Sequence, residues 1–181
     1  MTINVHKIYK TFVDKDIKFF SGVPDSLLKD FCGYMNDEID KSSHIIAANE
    51  GNAISLGIGY HLSTNKVPLI YMQNSGLGNA INPLLSLADK DVYSIPMVLM
   101  IGWRGEPGVK DEPQHIKQGK ITLDLLKTMD IPHIVISGDD TDDDIIKNII
   151  QIIDISKNKI CPVAIVVRKN TFLPYKQPNK K

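Results

Sequence analysis

Short unbroken apolar runs recur along this chain, "HIIAA" at 44–48, "VPLIYMQ" at 67–73, "IPMVLMIG" at 95–102, "IPHIVIS" at 131–137 and "CPVAIVVRK" at 161–169, with segments of helical length between them. A strand with one wet face alternates apolar and polar residues, so runs without alternation are buried on both faces. The segments between them supply the cover as helices. The fold class that follows is α/β: an open parallel sheet with helices on both faces. "IKFFSGVPD" at 17–25 adds a strand entering a turn at Gly22 and Pro24. The spacing of Ile3, Ile8, Phe12 and Val13 predicts a helix over 3–15. Further helices are predicted from Asp25 or Ser26, from Glu50, from about Gly78 to Ala88 and from Asp142 to Ile155, with "ITLDLLKTM" at 121–129 as another segment. Trp103 to Lys120 reads as irregular. "TFLPYKQPNKK" reads as a linker or tail, because its prolines and lysines do not continue the fold, which sets a domain at 1–170 and a tail at 171–181.

With 181 residues, 43% of them hydrophobic, the chain can build one packed core. Lys plus Arg and Asp plus Glu are equal at 21 each, so no global charge draws it to nucleic acid or to an anionic membrane. No run approaches the roughly 18 apolar residues of a membrane span, and "MTINVHKIYKTF" lacks the plan of a secretory leader. The reading is a soluble, cytoplasmic protein with neither nucleic-acid nor membrane partner. Cys32 and Cys161 lack CxxC or Cys/His ligand spacing and read as core thiols.

Open parallel sheets bind ligands at the carboxyl ends of their strands. "SGVPDS", "NEGN", "QNSGLGN" and "GWRGEPGVKDEPQHIKQGK" fall there. "NSGLGNA" follows a strand and opens a helix, yet it is not GxGxxG, and the next strand ends "LMIGW" without the acid that a dinucleotide ribose requires. Small residues Ala53, Ser55, Gly57 and Gly59 in the Glu50 helix suit a close neighbour. Taken alone, Glu50 reads first as an ordinary first-turn acid favourable to the helix dipole. Asp25 reads equally as a helix cap and His115 as a solvated loop residue. The stretch 103–120 gathers Arg104, Lys110, His115, Lys117 and Lys120 against Glu106, Asp111 and Glu112, a mixture suited to an acidic substrate or to plain solvation.

Taken together, "FFSGVPDSLLKDF", "HIIAANEGNAISLGIGYHLS", "VPLIYMQNSGLGNAINPLLSLAD", "YSIPMVLMIGWRGEPGVKDEPQHIKQGKITLDLL" and "VVRKNTFLPYK" closely resemble the N-terminal half of the phosphonopyruvate decarboxylases, and more loosely the alpha subunit of the sulfopyruvate decarboxylases. Both are thiamine diphosphate enzymes, and the resemblance implies their pyrimidine-binding domain. It implies that Glu50 hydrogen-bonds N1′ of the cofactor's aminopyrimidine and acts as its proton switch. It places Pro24 in the loop that packs on the pyrimidine, and Gln73 and Asn74 at the strand end facing cofactor and substrate. Asp25, Ser26 and His115 match polar positions for substrate binding and proton transfer, and Arg104 or a nearby lysine is implied to meet the substrate's acidic group.

The family holds the diphosphate through Mg²⁺ at a GDG motif and a following Asn in a second domain. Gly138-Asp139-Asp140 lacks the final glycine, and no GDG occurs in the chain. The implied metal site therefore belongs to a partner, either a beta subunit or a further diphosphate-binding domain, and the implied assembly is an oligomer. The implied reaction converts 3-phosphonopyruvate, a small anionic 2-oxo acid, to phosphonoacetaldehyde and carbon dioxide. Sulfopyruvate decarboxylation and a non-catalytic assembly module are the alternatives.

Overall fold

A computed structural model describes residues 2–176. Its sheet has six parallel strands in the order β2-β1-β3-β4-β6-β5, with β1 at Phe20–Gly22, β2 at His44–Ile46, β3 at Leu69–Gln73, β4 at Met97–Gly102, β5 at His133–Ile136 and β6 at Pro162–Val167. Along β3, Leu69 and Tyr71 enter one core while Ile70 and Met72 enter the other. This is the two-sided burial that the unbroken apolar runs require. The first core is covered by α1 (Val5–Asp14), α2 (Lys29–Glu38) and α6 (Asp142–Lys159). The second is covered by α3 (Glu50–Thr64), α4 (Leu77–Pro83) and α5 (Pro113–Thr128). Among the described residues no helix is long and apolar enough to cross a membrane.

Several boundaries differ from those read in the sequence, each for a local reason. The first helix begins at Val5, capped by the Asn4 side chain, and Ile3 instead bridges Phe172. The helix expected from Asp25 or Ser26 starts at Lys29, because Asp25 Oδ2 accepts from Leu27 N at 3.1 Å and holds a turn. The segment at 78–88 is composite: a 3₁₀ turn at Asn74–Gly76 leads into α4, and Pro83 is followed by a π-helical stretch at Leu84–Ala88. The stretch expected to be irregular as far as Lys120 becomes helical at Pro113, so His115, Lys117 and Lys120 lie on α5. Proline at the first helical position explains the early start. From Thr171 to Tyr175 the chain stays on the domain, since Thr171 and Phe172 are buried and Tyr175 N donates to Asp30 Oδ1 at 2.9 Å; the end of the expected tail, 177–181, lies outside the described residues.

The switch of direction that opens a ligand crevice lies where β1 has β2 on one side and β3 on the other. There the packing needs a missing side chain. A Cβ at Gly22 would lie 2.1 Å from the Tyr71 carbonyl oxygen and 2.6 Å from its ring. Tyr71 reaches past β1, and its hydroxyl meets His44 Nε2 on β2 at 2.8 Å. Burial raises the Tyr71 pKa and lowers that of His44, keeping both neutral around pH 7. Similarly, Gly57 of α3 lies where a Cβ would come 2.9 Å from Ile70, whereas Gly59 faces open space. Of the small residues in α3, Ala53 and Gly57 admit the close neighbour, and Ser55 and Gly59 are exposed.

Gly22→Ala is expected to destabilise the domain by about 1–3 kcal/mol through overpacking, lowering the thermal midpoint by roughly 2–4 °C per kcal/mol for a chain of this size. Differential scanning calorimetry of the two proteins checks it. Gly59→Ala, on the open face of the same region, serves as the control with no such loss.

Candidate active site at the carboxyl edge of the sheet

Glu50 is the first residue of α3, but it is not the cap. Asn49 performs that task, accepting from Asn52 N at 2.9 Å, so the Glu50 carboxylate is released for something else. Its Oε2 accepts from Asn79 Nδ2 of α4 at 2.7 Å. A Cβ at Gly76 would stand 2.4 Å from Glu50 Cγ and 2.5 Å from Oε1. The glycine in the turn after β3 thus makes room for the acid. Oε1 has no hydrogen-bond partner among the described residues. One oxygen is fixed and the other is open to a donor at the mouth of the crevice.

The loop after β1 supplies the second group. Pro24 and Ser26 are exposed, while Asp25 between them is buried at 7%. Asp25 Oδ2 would meet a Cβ at Gly102 at 2.3 Å, so the bare backbone at the end of β4 receives it. Its Oδ1 is buried without a hydrogen-bond partner. Burial accordingly pushes the Asp25 pKa up, against the backbone N–H groups of the turn and the charge of Arg104. A carboxyl so placed is suited to carrying a proton.

The loop from Trp103 to Glu112 closes on itself. Arg104 Nε and Nη2 donate to Asp111 Oδ2 and Oδ1 at 2.8 and 2.5 Å, and Nη1 donates to Ser26 Oγ at 2.7 Å. Asp111 also accepts from Gly105 N and Glu112 N, both at 2.8 Å. The Arg104 guanidinium holds the Asp111 carboxyl well below the usual carboxylate range. Buried Glu106 pairs with Arg168 at 2.6 Å and ties the loop to the end of β6. A cavity of about 470 Å³ opens beneath, lined by Ser26, Lys29, Trp103, Arg104, Asp111 and Lys169 among others.

The structure therefore brings together the carboxyl ends of β1, β2, β3 and β4, where Pro24, Asp25, Ser26, Glu50, Gln73, Asn74 and Arg104 stand. Their availability differs. Asn74 is turned inward: its Nδ2 donates to the Arg104 carbonyl and to Thr122 Oγ1, both at 2.8 Å, and its Oδ1 accepts from Arg104 N at 3.1 Å. Gln73 donates to Ser75 Oγ at 2.6 Å. The His115 imidazole is half-buried in the first turn of α5 and has no hydrogen-bond partner among the described residues. Gly76, Asn79 and Asp111 were not legible as site residues. "NSGLGN" stood out as a possible phosphate turn, and its first glycine, Gly76, and its second asparagine, Asn79, instead meet Glu50.

The open Glu50 oxygen beside the bare Gly76 backbone suits a hydrogen bond with a ring nitrogen of a heterocycle laid against the crevice. No cluster of three or more His, Cys, Asp or Glu among the described residues could hold a metal.

Residues 5–127 match the model of the thiamine pyrophosphate enzyme N-terminal TPP binding domain. The chain belongs to this family. The TPP-binding domain is 37% identical over 160 residues to the sulfopyruvate decarboxylase alpha subunit of Methanococcus maripaludis, covering 88% of this chain and 91% of that one. It is 39% identical over 106 residues to the phosphonopyruvate decarboxylase of Streptomyces viridochromogenes, covering 55% of this chain and 26% of the relative. Among solved structures it superposes on benzoylformate decarboxylase from Polynucleobacter necessarius with a TM-score of 0.65 at 14% identity, covering 100% of this chain and 33% of that one. That likeness is one of fold. This TPP-binding domain thus spans a third of the solved enzyme and a quarter of the phosphonopyruvate decarboxylase.

With the Asp25 pKa raised above its ordinary value of 3.8, the folded state favours the protonated acid. Its stabilising effect is complete below that value and is lost as pH rises through the folded one. The difference in thermal midpoint, Asp25→Asn minus wild type, is therefore expected to grow from pH 3.5 towards pH 7. A difference that is constant across that range would mean Asp25 titrates normally.

Proposed function

We propose that this chain is the pyrimidine-binding component of a thiamine diphosphate-dependent decarboxylase acting on a small 2-oxo acid with an acidic group on C3. The observation that carries the reading is the Glu50 carboxylate, released from capping, fixed by Asn79 and lodged against the bare backbone of Gly76. Membership of the family supports pairing that carboxylate with a ring nitrogen of the cofactor. When bound, thiamine diphosphate supplies the carbon nucleophile and the electron sink that decarboxylation of a 2-oxo acid requires.

The residues of this chain do the rest from their places. Glu50 shares a proton through its open oxygen with the aminopyrimidine, and Asn79 keeps the carboxylate from rotating away. Pro24, exposed beside the crevice, packs against the ring, and Gln73 closes the end of β3. Asp25 holds a proton in a dry setting, ready to deliver it as carbon dioxide leaves. Ser26 and His115 handle the substrate. Asn74 takes part by bracing the loop that carries Arg104. The diphosphate and its Mg²⁺ fall to a partner domain or subunit, since GDG is absent here and no described cluster suits a metal.

Two substrates stay in view, each with its own support. The match along 91% of a sulfopyruvate decarboxylase alpha subunit favours 3-sulfopyruvate and a two-subunit plan. The 39% identity over 106 residues to a phosphonopyruvate decarboxylase favours 3-phosphonopyruvate. Both are three-carbon 2-oxo acids with a strongly acidic head, so the carboxyl edge described above serves either. Turnover of the two acids side by side, by the chain reconstituted with its diphosphate-binding partner, decides between them. Turnover of neither would overturn the proposal.

Glu50→Gln preserves shape and the Asn79 contact but does not exchange a full proton. Loss of one acid–base group costs about 10²- to 10⁴-fold in rate, whereas a first-turn acid contributes only about 0.3–1 kcal/mol to its helix. The variant is expected to keep its thermal midpoint within a few degrees and to lose exchange of the cofactor C2 proton, followed by NMR in the reconstituted enzyme. Normal exchange would return Glu50 to the role of an ordinary helix-start acid.

A further inference from the structure

The loop after β4 contains an arrangement that the proposed chemistry does not yet use. Arg104 is the one cation hydrogen-bonded to Ser26 among the described residues, and its charge is already matched by Asp111 through two hydrogen bonds. Asp111 in turn is saturated, accepting from the Gly105 and Glu112 amides besides Arg104. Both members of the ion pair are largely covered, with side-chain exposures of 20% and 14%. A planar guanidinium gripped along one edge by a carboxylate loses its rotational freedom, so its remaining N–H groups point in fixed directions. One of them is spent on Ser26.

The consequence falls on the serine. A hydroxyl has one proton to give and lone pairs to receive with. Ser26 Oγ already accepts from Arg104 Nη1 at 2.7 Å and has no acceptor for its own proton among the described residues. Ser26 lines the cavity of about 470 Å³. Accepting from a cation also polarises the O–H bond and strengthens it as a donor.

Building on the decarboxylase reading, we infer that Asp111 is a positioning residue: through Arg104 it fixes Ser26 as a hydrogen-bond donor to the carboxylate or carbonyl oxygen of a bound 2-oxo acid. Arg104 then acts as a strut within the site, and the substrate's acidic head is met by other groups. Asp111→Asn is close in size but turns an N–H₂ towards the N–H groups of Arg104, which breaks the grip without emptying the loop.

The test is a double-mutant cycle in the enzyme reconstituted with its diphosphate-binding partner, using 3-sulfopyruvate and 3-phosphonopyruvate. Ser26→Ala and Asp111→Asn are each expected to lower kcat by about a hundredfold, the order seen when one donor to a reacting group is removed. Combined, they should cost no more than either alone, as for residues acting as a unit. Unchanged thermal midpoints and cofactor affinity separate this from a folding defect. If Asp111→Asn does not fold, Arg104→Lys takes its place, since an ammonium does not bridge Asp111 and Ser26 with a planar fork. Losses that multiply in the double variant, or a lower KM with unchanged kcat as Arg104 is freed to bind the anion, would overturn the inference while leaving the decarboxylase reading intact. A wild-type enzyme that turns over neither acid would overturn that reading first and this inference with it.

Discussion

A sheet buried on both faces leaves polar chemistry very little room, and the rest of this molecule follows from that restriction. The central strands β4 and β6 offer only apolar side chains and backbone groups already spent on one another, and Ser21 on β1 is sealed with its hydroxyl unpartnered. Functional side chains are displaced to the edge where the parallel strands end and the connections begin. Because the strands run the same way, that edge gathers Asp25, Glu50, Gln73, Asn74 and Arg104 from four separate stretches of sequence. At the crevice itself the crowding is relieved by glycine. Gly22 lets Tyr71 reach His44, Gly76 accommodates Glu50, and Gly102 receives Asp25.

Electrostatics then distinguishes three acids that composition treats alike. Asp111 is held ionised by a guanidinium and two amides. Asp25, nearer to backbone than to charge, is buried with one oxygen unpaired and favours its neutral form. Glu50 is half-exposed, with one oxygen anchored and one free. Three differently partnered carboxyl groups, one ion-paired, one buried and one half-open, thus arise from the same functional group.

The sheet was legible because unbroken apolar runs carry their own explanation, and every run quoted from 44 to 169 contains a strand. Boundaries were less legible where a side chain overrides the pattern, as when Asp25 delays α2 or Pro113 starts α5 early. At the candidate site, Glu50 stood out through the motif around it, whereas Gly76 and Asn79 did not, because they meet α3 only once the turn after β3 and α4 are packed against it. Asp111 was hidden for a similar reason: in a loop of mixed charge nothing in the order of residues says which acid meets which base. Asn74 illustrates the reverse. Its position at a strand end was readable, but the inward turn of its amide depends on Thr122, 48 residues away.

The seat of Gly105 on α5 has a mechanical consequence. A Cβ at Gly119 would fall 1.7 Å from the Gly105 carbonyl, Trp103 Nε1 donates to the Gly119 carbonyl at 2.9 Å, and Asn74 links the same loop to Thr122 one turn further on. Fastened to successive turns of α5 on one side and to the end of β6 through Glu106–Arg168 and Trp103 N to the Val167 carbonyl on the other, the loop is clamped between a helix and the sheet. Widening the crevice on this side would therefore require the Glu106–Arg168 pair to part, or α5 and the end of β6 to shift together, which makes this wall a rigid abutment rather than a lid.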